Sequence, residues 1–213
     1  EITNYPFLSK IAETKKPIVL STGMSYLKEI QDALEIFYDK NYNKEMITVL
    51  HCTSEYPCKI SDVNLNCIKT LQDKLNVAVG FSDHSEGILA PVSSVILGAS
   101  IIEKHFTLDK NLTGPDHKAS LEPKEFKEMV LQIKNLEKML IKFEKEPCES
   151  EIKNIKIVRK SIVAKVDIAE GEILNEENIS TKRPGTGINP MLWNKIIGMK
   201  AIKNFEKDQL IEI

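Results

Sequence analysis

The 213-residue sequence has no excess of either charge: 29 Lys and Arg stand against 31 Asp and Glu, a formal net charge of −2. That balance excludes a chain that coats nucleic acid or an anionic membrane surface. No run of about 18 apolar residues occurs, so no transmembrane helix is expected. No basic start followed by an apolar stretch and a small-residue cleavage site is visible. The four cysteines, Cys52, Cys58, Cys67 and Cys148, form no C-x-x-C pair, which removes zinc-finger and thioredoxin spacings. They read as reduced thiols in a cytoplasmic setting. A Cys52/Cys58 metal clip remains an option, but a lone pair lacks a tetrahedral ligand set. No G-x-G-x-x-G follows any apolar run, which weakens dinucleotide binding. An initiator Met is also lacking, since the chain opens at Glu1-Ile2-Thr3-Asn4.

What is present is a 42% hydrophobic content, enough for a real core. The first two-thirds alternates short β-rich runs with helical patterns. Lys16-Pro17-Ile18-Val19-Leu20-Ser21-Thr22, bounded by Pro and Gly23, reads as a strand. Ser25 then caps a helix to about Lys40, with Leu27, Ile30, Ala33, Leu34 and Phe37 on one face. Further strands are expected at 46–50, 77–81 and 100–103. The helices between them start from a Ser61 cap and run over 88–97. Pro123 opens a long helix reaching about Phe143. Four β-α units with continuous apolar strands point to a parallel sheet covered on both faces. A doubly wound sheet and a (β/α)8 barrel both fit; four units are half of a barrel, which typically needs about 250 residues.

Near Glu144 the composition shifts. Lys145-Glu146-Pro147-Cys148-Glu149-Ser150-Glu151 is charged and holds a Pro, so it reads as a linker. Three segments are expected: a partial barrel over 1–146, a linker over 147–156 and a small β-rich domain over 157–213. The last carries a faint repeat. Ala164-x-x-x-Ile168-x-x-Gly171-Glu172 is echoed 37 positions on by Ala201-x-x-x-Phe205-x-x-Asp208-Gln209. Each copy reads as strand, turn and strand, which suggests pseudo-symmetry; chance similarity is the alternative at this length.

In a parallel α/β sheet, function gathers at the C-terminal strand ends. All four histidines fall just after expected strands. His84 and His105 follow consecutive strands, and neighbouring strands lie about 4.8 Å apart. Two imidazoles on that rim can share a divalent ion completed by water or substrate oxygen, or each can simply bond a loop carbonyl. Ser21, Thr22, Thr53, Ser54 and Ser82 bring hydroxyls that suit phosphate oxygens, against ordinary turn capping for any one of them. Asp116 sits after Gly-Pro in a polar loop, either accepting from sugar hydroxyls or serving the turn. Glu103 reads as a buried base, as a group behind a metal ligand, or as a partner of a neighbouring Lys. Arg183 lies on a turn-rich loop, where a solvated cation is the plain alternative.

Six ordered motifs now stand on the page. They are Leu20-Ser-Thr-Gly-Met24, His51-Cys-Thr-Ser-Glu-Tyr-Pro57, Phe81-Ser-Asp-His-Ser85, Glu103-Lys-His-Phe-Thr107, Gly114-Pro-Asp-His-Lys118 and Lys182-Arg-Pro-Gly-Thr-Gly187. Together they resemble the sialic acid synthase family over essentially the whole chain. The resemblance implies a (β/α)8 barrel, of which about the C-terminal half is present, followed by a small β-rich antifreeze-like (SAF, β-clip) domain.

The implied reaction joins phosphoenolpyruvate to an N-acetylated hexose such as N-acetylmannosamine and releases phosphate. It uses a divalent ion, commonly Mn2+, with Mg2+ or Co2+ as options. Carried over, His84 and His105 match metal ligands. Ser21, Ser54 and Ser82 match phosphoenolpyruvate-binding positions, with Asn frequent in the family where Ser54 stands. Tyr56 and Asp116 match sugar contacts, and Glu103 matches the acidic residue beside the metal histidine. Arg183 matches an Arg that reaches the N-acetyl group from a partner subunit, which implies a domain-swapped homodimer.

Glu1-Ile-Thr-Asn4 is similar to the middle of the family's Lys-Ile-Ala-Ser-Gly-Glu-Ile-Thr-Asn segment, so a preceding half-barrel is expected to be missing. With it go a phosphate-binding Lys and an acidic residue, and two sheet edges are left open. The chain alone is therefore expected to be inactive. Asp116-His-Lys-Ala-Ser120 and the Arg-Pro-Gly-Thr-Gly loop look more like the neuraminate or legionaminate branch than the pseudaminate branch. The competing readings are a non-catalytic fragment for dimerisation or sugar binding, and an ice-binding domain; charged turns and the lack of a Thr array disfavour the latter.

Overall fold

The computed structural model describes residues 1–142 and 144–213. The chain divides into two compact units, Glu1–Phe143 and Glu144–Ile213.

The first unit opens with a helix that the sequence pattern does not announce, α1 (Tyr5–Ala12), whose N-cap Asn4 accepts a hydrogen bond from Phe7 N at 3.2 Å. The strands are β1 (Ile18–Ser21), β2 (Ile47–Cys52), β3 (Ala78–Asp83) and β4 (Ile102–Lys104). The helices are α2 (Leu27–Asp39), α3 (Asn66–Leu75), α4 (Leu89–Ile96) and α5 (Pro123–Met139). All strand pairs are parallel, in the order β1-β2-β3-β4. A doubly wound sheet reverses its strand order at a switch point. This one never does, so the sheet is that of a half-barrel.

Two helix starts differ from the sequence expectation. Ser25 Oγ bonds the carbonyl of Gly23, and Tyr26 is the cap residue, its N–H donating to Glu29 Oε2 at 2.7 Å. Ser61 lies in a 3-10 turn, Ile60–Asp62, and bonds Asp62 Oδ1; α3 begins only at Asn66. The long helix stops at Met139, and its expected end at Phe143 lies outside the described residues.

The core lies between sheet and helices. Ile30, Ala33, Leu34 and Phe37 of α2 are buried, as are Ile68, Leu71 and Leu75 of α3. They pack with Ile47, Val49, Val79 and Phe81 of the sheet. Fully burying a side chain such as Phe37 contributes about 1.5–3 kcal/mol. At Gly80 there is no room for a side chain: an added Cβ would lie 2.5 Å from the carbonyl oxygen of Ile101 and 2.5 Å from Leu50 Cδ2.

In the second unit, the segment expected as a linker is largely helix: α6 spans Glu149–Val158, with Cys148 N donating to Glu151 Oε2. Charge and Pro marked a break, but the acidic residues stand at the helix's first turn, where its dipole favours them. The sheet pairs β5 (Ser161–Ala164) with β6 (Ile179–Lys182) antiparallel. A short helix, α7, covers Trp193–Ile196.

The repeat is real, and its copies pair with each other. Ile168 and Phe205, equivalent positions, exchange both backbone hydrogen bonds at 2.8 and 2.9 Å. Glu170 N donates to Asn204 Oδ1 and Lys207 N to Asp167 Oδ1, both at 2.8 Å, which are symmetry mates across the 37-residue shift. Gly171 and Asp208, also equivalent, share a left-handed φ of 83° and 72°. Strand-turn-strand does not describe each copy, because the segments meet as isolated bridges.

Candidate active site

Register places the polar side chains. Side chains alternate across a strand, and residues paired in parallel register share a face. Cys52 pairs with Ser82, and Ser82 with Glu103, so the three form one row. His84 and His105 continue the same face one step further along. His51, Phe81, Asp83 and Lys104 point the other way, towards the helices.

The two imidazoles meet. Their ring centroids are 5.2 Å apart and the planes nearly perpendicular, at 87°. Tyr56 covers both, 4.1 Å from His84 and 5.4 Å from His105. His84 Nδ1 lies 2.7 Å from the carbonyl oxygen of Thr53. A carbonyl only accepts, so Nδ1 carries the proton and Nε2 keeps its lone pair. Cys52 Sγ stands 3.8 Å from the same nitrogen and is a weaker contact. Burial works against charge on His84, but Cys52, Thr53 and Asp83 outweigh it and hold the imidazole above its ordinary value. Burial likewise pushes the Cys52 thiol up, and hydrogen bonds to His84, Ser21 and Ser82 bring it below its ordinary value.

Backbone ties lock the histidines in place. Cys58 N donates to the His84 carbonyl at 2.8 Å, and Leu121 N to the His105 carbonyl at 2.8 Å. Among the described residues, no three His, Cys, Asp or Glu side chains form a metal-holding group. The described residues therefore offer two nitrogen donors, one of them with its tautomer set, and the positions beside them are open to oxygen. That donor set fits a Mn2+-type ion with water or substrate oxygens.

The remaining expected residues divide. Ser82 is buried and its Oγ donates to Glu103 Oε1 at 2.6 Å. Glu103 is exposed on the open inner face of the half-barrel, and the neighbouring Lys104 pairs with Asp83 rather than with it. Ser21 reaches the row through Cys52. Ser54 is held at the β1 rim by Gly23, where an added Cβ would lie 2.0 Å from Ser54 Oγ. Tyr56 sits near the carboxylates of Asp116 and Glu103: burial first, then the charges of Cys52, Asp116 and Glu103, raise its phenol above the ordinary value. Asp116 is exposed, and its carbonyl accepts from Ser120 N and Oγ. A cleft of about 850 Å³ opens on the β1–β2 side of the rim, lined in part by Thr22, Tyr26, Cys52 and Ser54.

Arg183 belongs to the second unit. Its Nε donates to the Val158 carbonyl at 3.0 Å, leaving the two terminal nitrogens of the guanidinium for other partners. His51 and His117 are not at the centre. His51 Nε2 lies 2.7 Å from the Val63 carbonyl, and His117 Nδ1 lies 2.8 Å from Thr107 Oγ1. Sequence reasoning raised Cys52 only as half of a metal clip with Cys58, whereas its thiol stands against His84, and it missed the Thr53 carbonyl and the Asp83–Lys104 ion pair. A signal for the last exists: each residue immediately precedes one of the paired histidines.

Residues 1–145 match the NeuB family and residues 159–212 match the SAF domain. The N,N'-diacetyllegionaminic acid synthase of Campylobacter jejuni subsp. jejuni is 50% identical over 99% of this chain and 63% of its own length. A pseudaminic acid synthase of the same species is 42% identical over 97% of this chain and 59% of its own. The crystal structure of N-acetylneuraminic acid (sialic acid) synthetase from Leptospira borgpetersenii serovar Hardjo-bovis, in complex with citrate, is also similar. It aligns with a TM-score of 0.65 and 39% identity, over 72% of this chain and 53% of that one. The chain thus spans about three-fifths of the length of these curated relatives. With a family match over 145 residues and the SAF domain following it, the chain belongs to the NeuB family.

Proposed function

We propose that the complete protein is a nonulosonic acid synthase, which condenses phosphoenolpyruvate with an N-acetylated hexosamine and releases phosphate. The observation that carries this reading is the His84–His105 pair, perpendicular at 5.2 Å, with His84 Nε2 left free by the Thr53 bond. His84 and His105 would hold a divalent ion, Mn2+ for preference. Such an ion supplies Lewis-acid polarisation of the sugar's aldehyde oxygen when bound. C3 of phosphoenolpyruvate bonds to the aldehyde carbon, water adds at C2, and the C2–O bond to phosphate breaks.

The chain's own residues orient and exchange protons. Ser21, Ser54 and Ser82 offer hydroxyls to the anionic substrate. In the structure the Ser82 proton is committed to Glu103. Turning that hydroxyl towards a substrate oxygen would exchange the Glu103 bond for one to the substrate, and Glu103 Oε2 faces no Ser82 proton in either arrangement. Tyr56, which covers both histidines, and Asp116, whose charge reaches Tyr56, would contact the sugar. Arg183 meets the N-acetyl group of the sugar in a partner subunit's site, in a domain-swapped homodimer. Legionaminate or neuraminate, rather than pseudaminate, is the product branch we infer, supported by the 50% identity to a legionaminic acid synthase. A cytoplasmic setting is supported by the four cysteines standing as free thiols.

The test is to incubate the complete protein with phosphoenolpyruvate, Mn2+ and, in turn, the hexosamine precursors of neuraminate, legionaminate and pseudaminate. Product mass and phosphate release are followed. Turnover of only the pseudaminate precursor contradicts the branch; turnover of none contradicts the function.

A further inference from the structure

We infer that Asp83 and Lys104 are a positioning pair, which fixes the spacing of the two imidazoles from the opposite face of the sheet; the inference rests on the metal-site reading above. The two residues are register partners at the ends of β3 and β4. Lys104 Nζ bonds Asp83 Oδ2 at 2.7 Å, with side chains 0% and 1% exposed. The same ammonium also donates to the Ser85 carbonyl, and Asp83 Oδ1 accepts from Ser85 N at 2.9 Å. Asp83-His84-Ser85 is thereby wrapped onto Lys104, with His84 as the middle residue. Lys104 is itself joined covalently to His105.

The location makes a role in stability a poor explanation. Apart from His51, the helix-facing side of this sheet is apolar near the pair, with Val79, Phe81 and Ile47 in the core. Burying two charges there costs desolvation that the mutual attraction roughly repays, and well-packed apolar residues commonly serve stability as well or better. What an ion pair adds is direction. It sets the lateral register of β3 against β4 at the level where the imidazoles leave the strands. A two-nitrogen metal site needs that register, because among the described residues no third His, Cys, Asp or Glu side chain joins the pair to correct a misplaced ring. Groups that orient metal ligands typically change metal affinity about 10- to 100-fold when lost.

The experiment titrates the full-length protein with Mn2+ and counts free ion by electron paramagnetic resonance. Four forms are compared: the parent, H84A/H105A, D83L/K104M and K104R. D83L/K104M removes both charges together, so it leaves no uncompensated one. It is expected to melt cooperatively, at a somewhat lower temperature because Ser85 N and the Ser85 carbonyl lose their partners, and to bind Mn2+ about 10- to 100-fold more weakly. K104R keeps the charge but replaces one point donor by a planar fork. It is expected to fold and to weaken binding about 10-fold, and it carries the test if the double variant does not fold. A purely structural pair would lower the melting temperature and leave affinity alone, so folded variants with affinity within about two-fold of the parent overturn the positioning role. Parent Mn2+ binding that survives H84A/H105A overturns the metal reading instead, and the positioning role with it.

Discussion

Ser82 Oγ donates to Glu103 Oε1 at 2.6 Å across the β3–β4 register pair, so a phosphoenolpyruvate-binding candidate and the candidate acid–base group share one proton. Replacing Ser82 by Ala removes the substrate donor and the hydrogen bond to Glu103 together. A hydrogen bond to a charged group is worth about 1.5–3 kcal/mol, so kcat/KM for phosphoenolpyruvate should fall by roughly 10- to 100-fold. The expected split is a rise in KM for phosphoenolpyruvate with little change for the hexosamine. Steady-state kinetics on the complete protein check this; equal changes in both KM values would remove Ser82 from the substrate site.

Arg183 has a separate signature. Its Nε is occupied by the Val158 carbonyl, so substrate contact would use the terminal nitrogens. Arg183→Gln keeps a planar polar end and loses the charge. The hexosamine KM should rise by about 10-fold, the scale of one lost charge-assisted bond, and the phosphoenolpyruvate KM should hold. Parallel rises would assign Arg183 to folding or assembly.

His51 predicts a pH dependence of stability. It is 8% exposed, stacks on Phe81 and bonds the Val63 carbonyl. Burial holds its imidazole below the ordinary value of 6.5. In the unfolded chain His51 takes up its proton at the ordinary value, and in the folded chain only at lower pH. Stability from this group is therefore complete above about pH 6.5 and declines as the pH falls below it. Urea midpoints between pH 7.5 and 5.0 should drop for the parent and drop less for His51→Gln; identical slopes would remove His51 as the source.

Gly80 tests the packing of sheet on sheet neighbour. Alanine there would place Cβ 2.5 Å from both the Ile101 carbonyl oxygen and Leu50 Cδ2. Overpacking of this kind costs about 1–3 kcal/mol. Gly80→Ala should lower the urea midpoint of the complete protein accordingly, and an unchanged midpoint would contradict the close approach of β3 to its neighbours.

Much of this was legible in the residues. Continuous apolar runs such as Met46–Leu50 and Val77–Phe81 mark buried parallel strands, and the histidines after them mark the rim. Period-based reading was weaker at helix starts. Ser25 and Ser61 are good cap residues, but the chain's hydrogen bonds go elsewhere: Glu29 reaches back to Tyr26, and Ser61 is spent in a 3-10 turn. The acidic 149–151 stretch looked like a linker because charge and Pro147 outweighed a short apolar spacing in Ile152 and Ile155. The sequence pairs His84 with His105, but why His51 stands apart from them needs the strand faces. His51 and His84 both follow strands, yet strand alternation sends one towards the helices and the other onto the polar row. The Asp83–Lys104 pair is likewise invisible until register puts the two residues opposite each other.

The most direct test of the central claim replaces His84 and His105 together by Ala in the complete protein. Turnover of phosphoenolpyruvate and hexosamine is then measured across a Mn2+ titration. Loss of all Mn2+-stimulated turnover, with cooperative melting retained, is the result the account predicts. Mn2+-dependent turnover persisting in the folded double variant would contradict it and leave the perpendicular pair with a structural role alone.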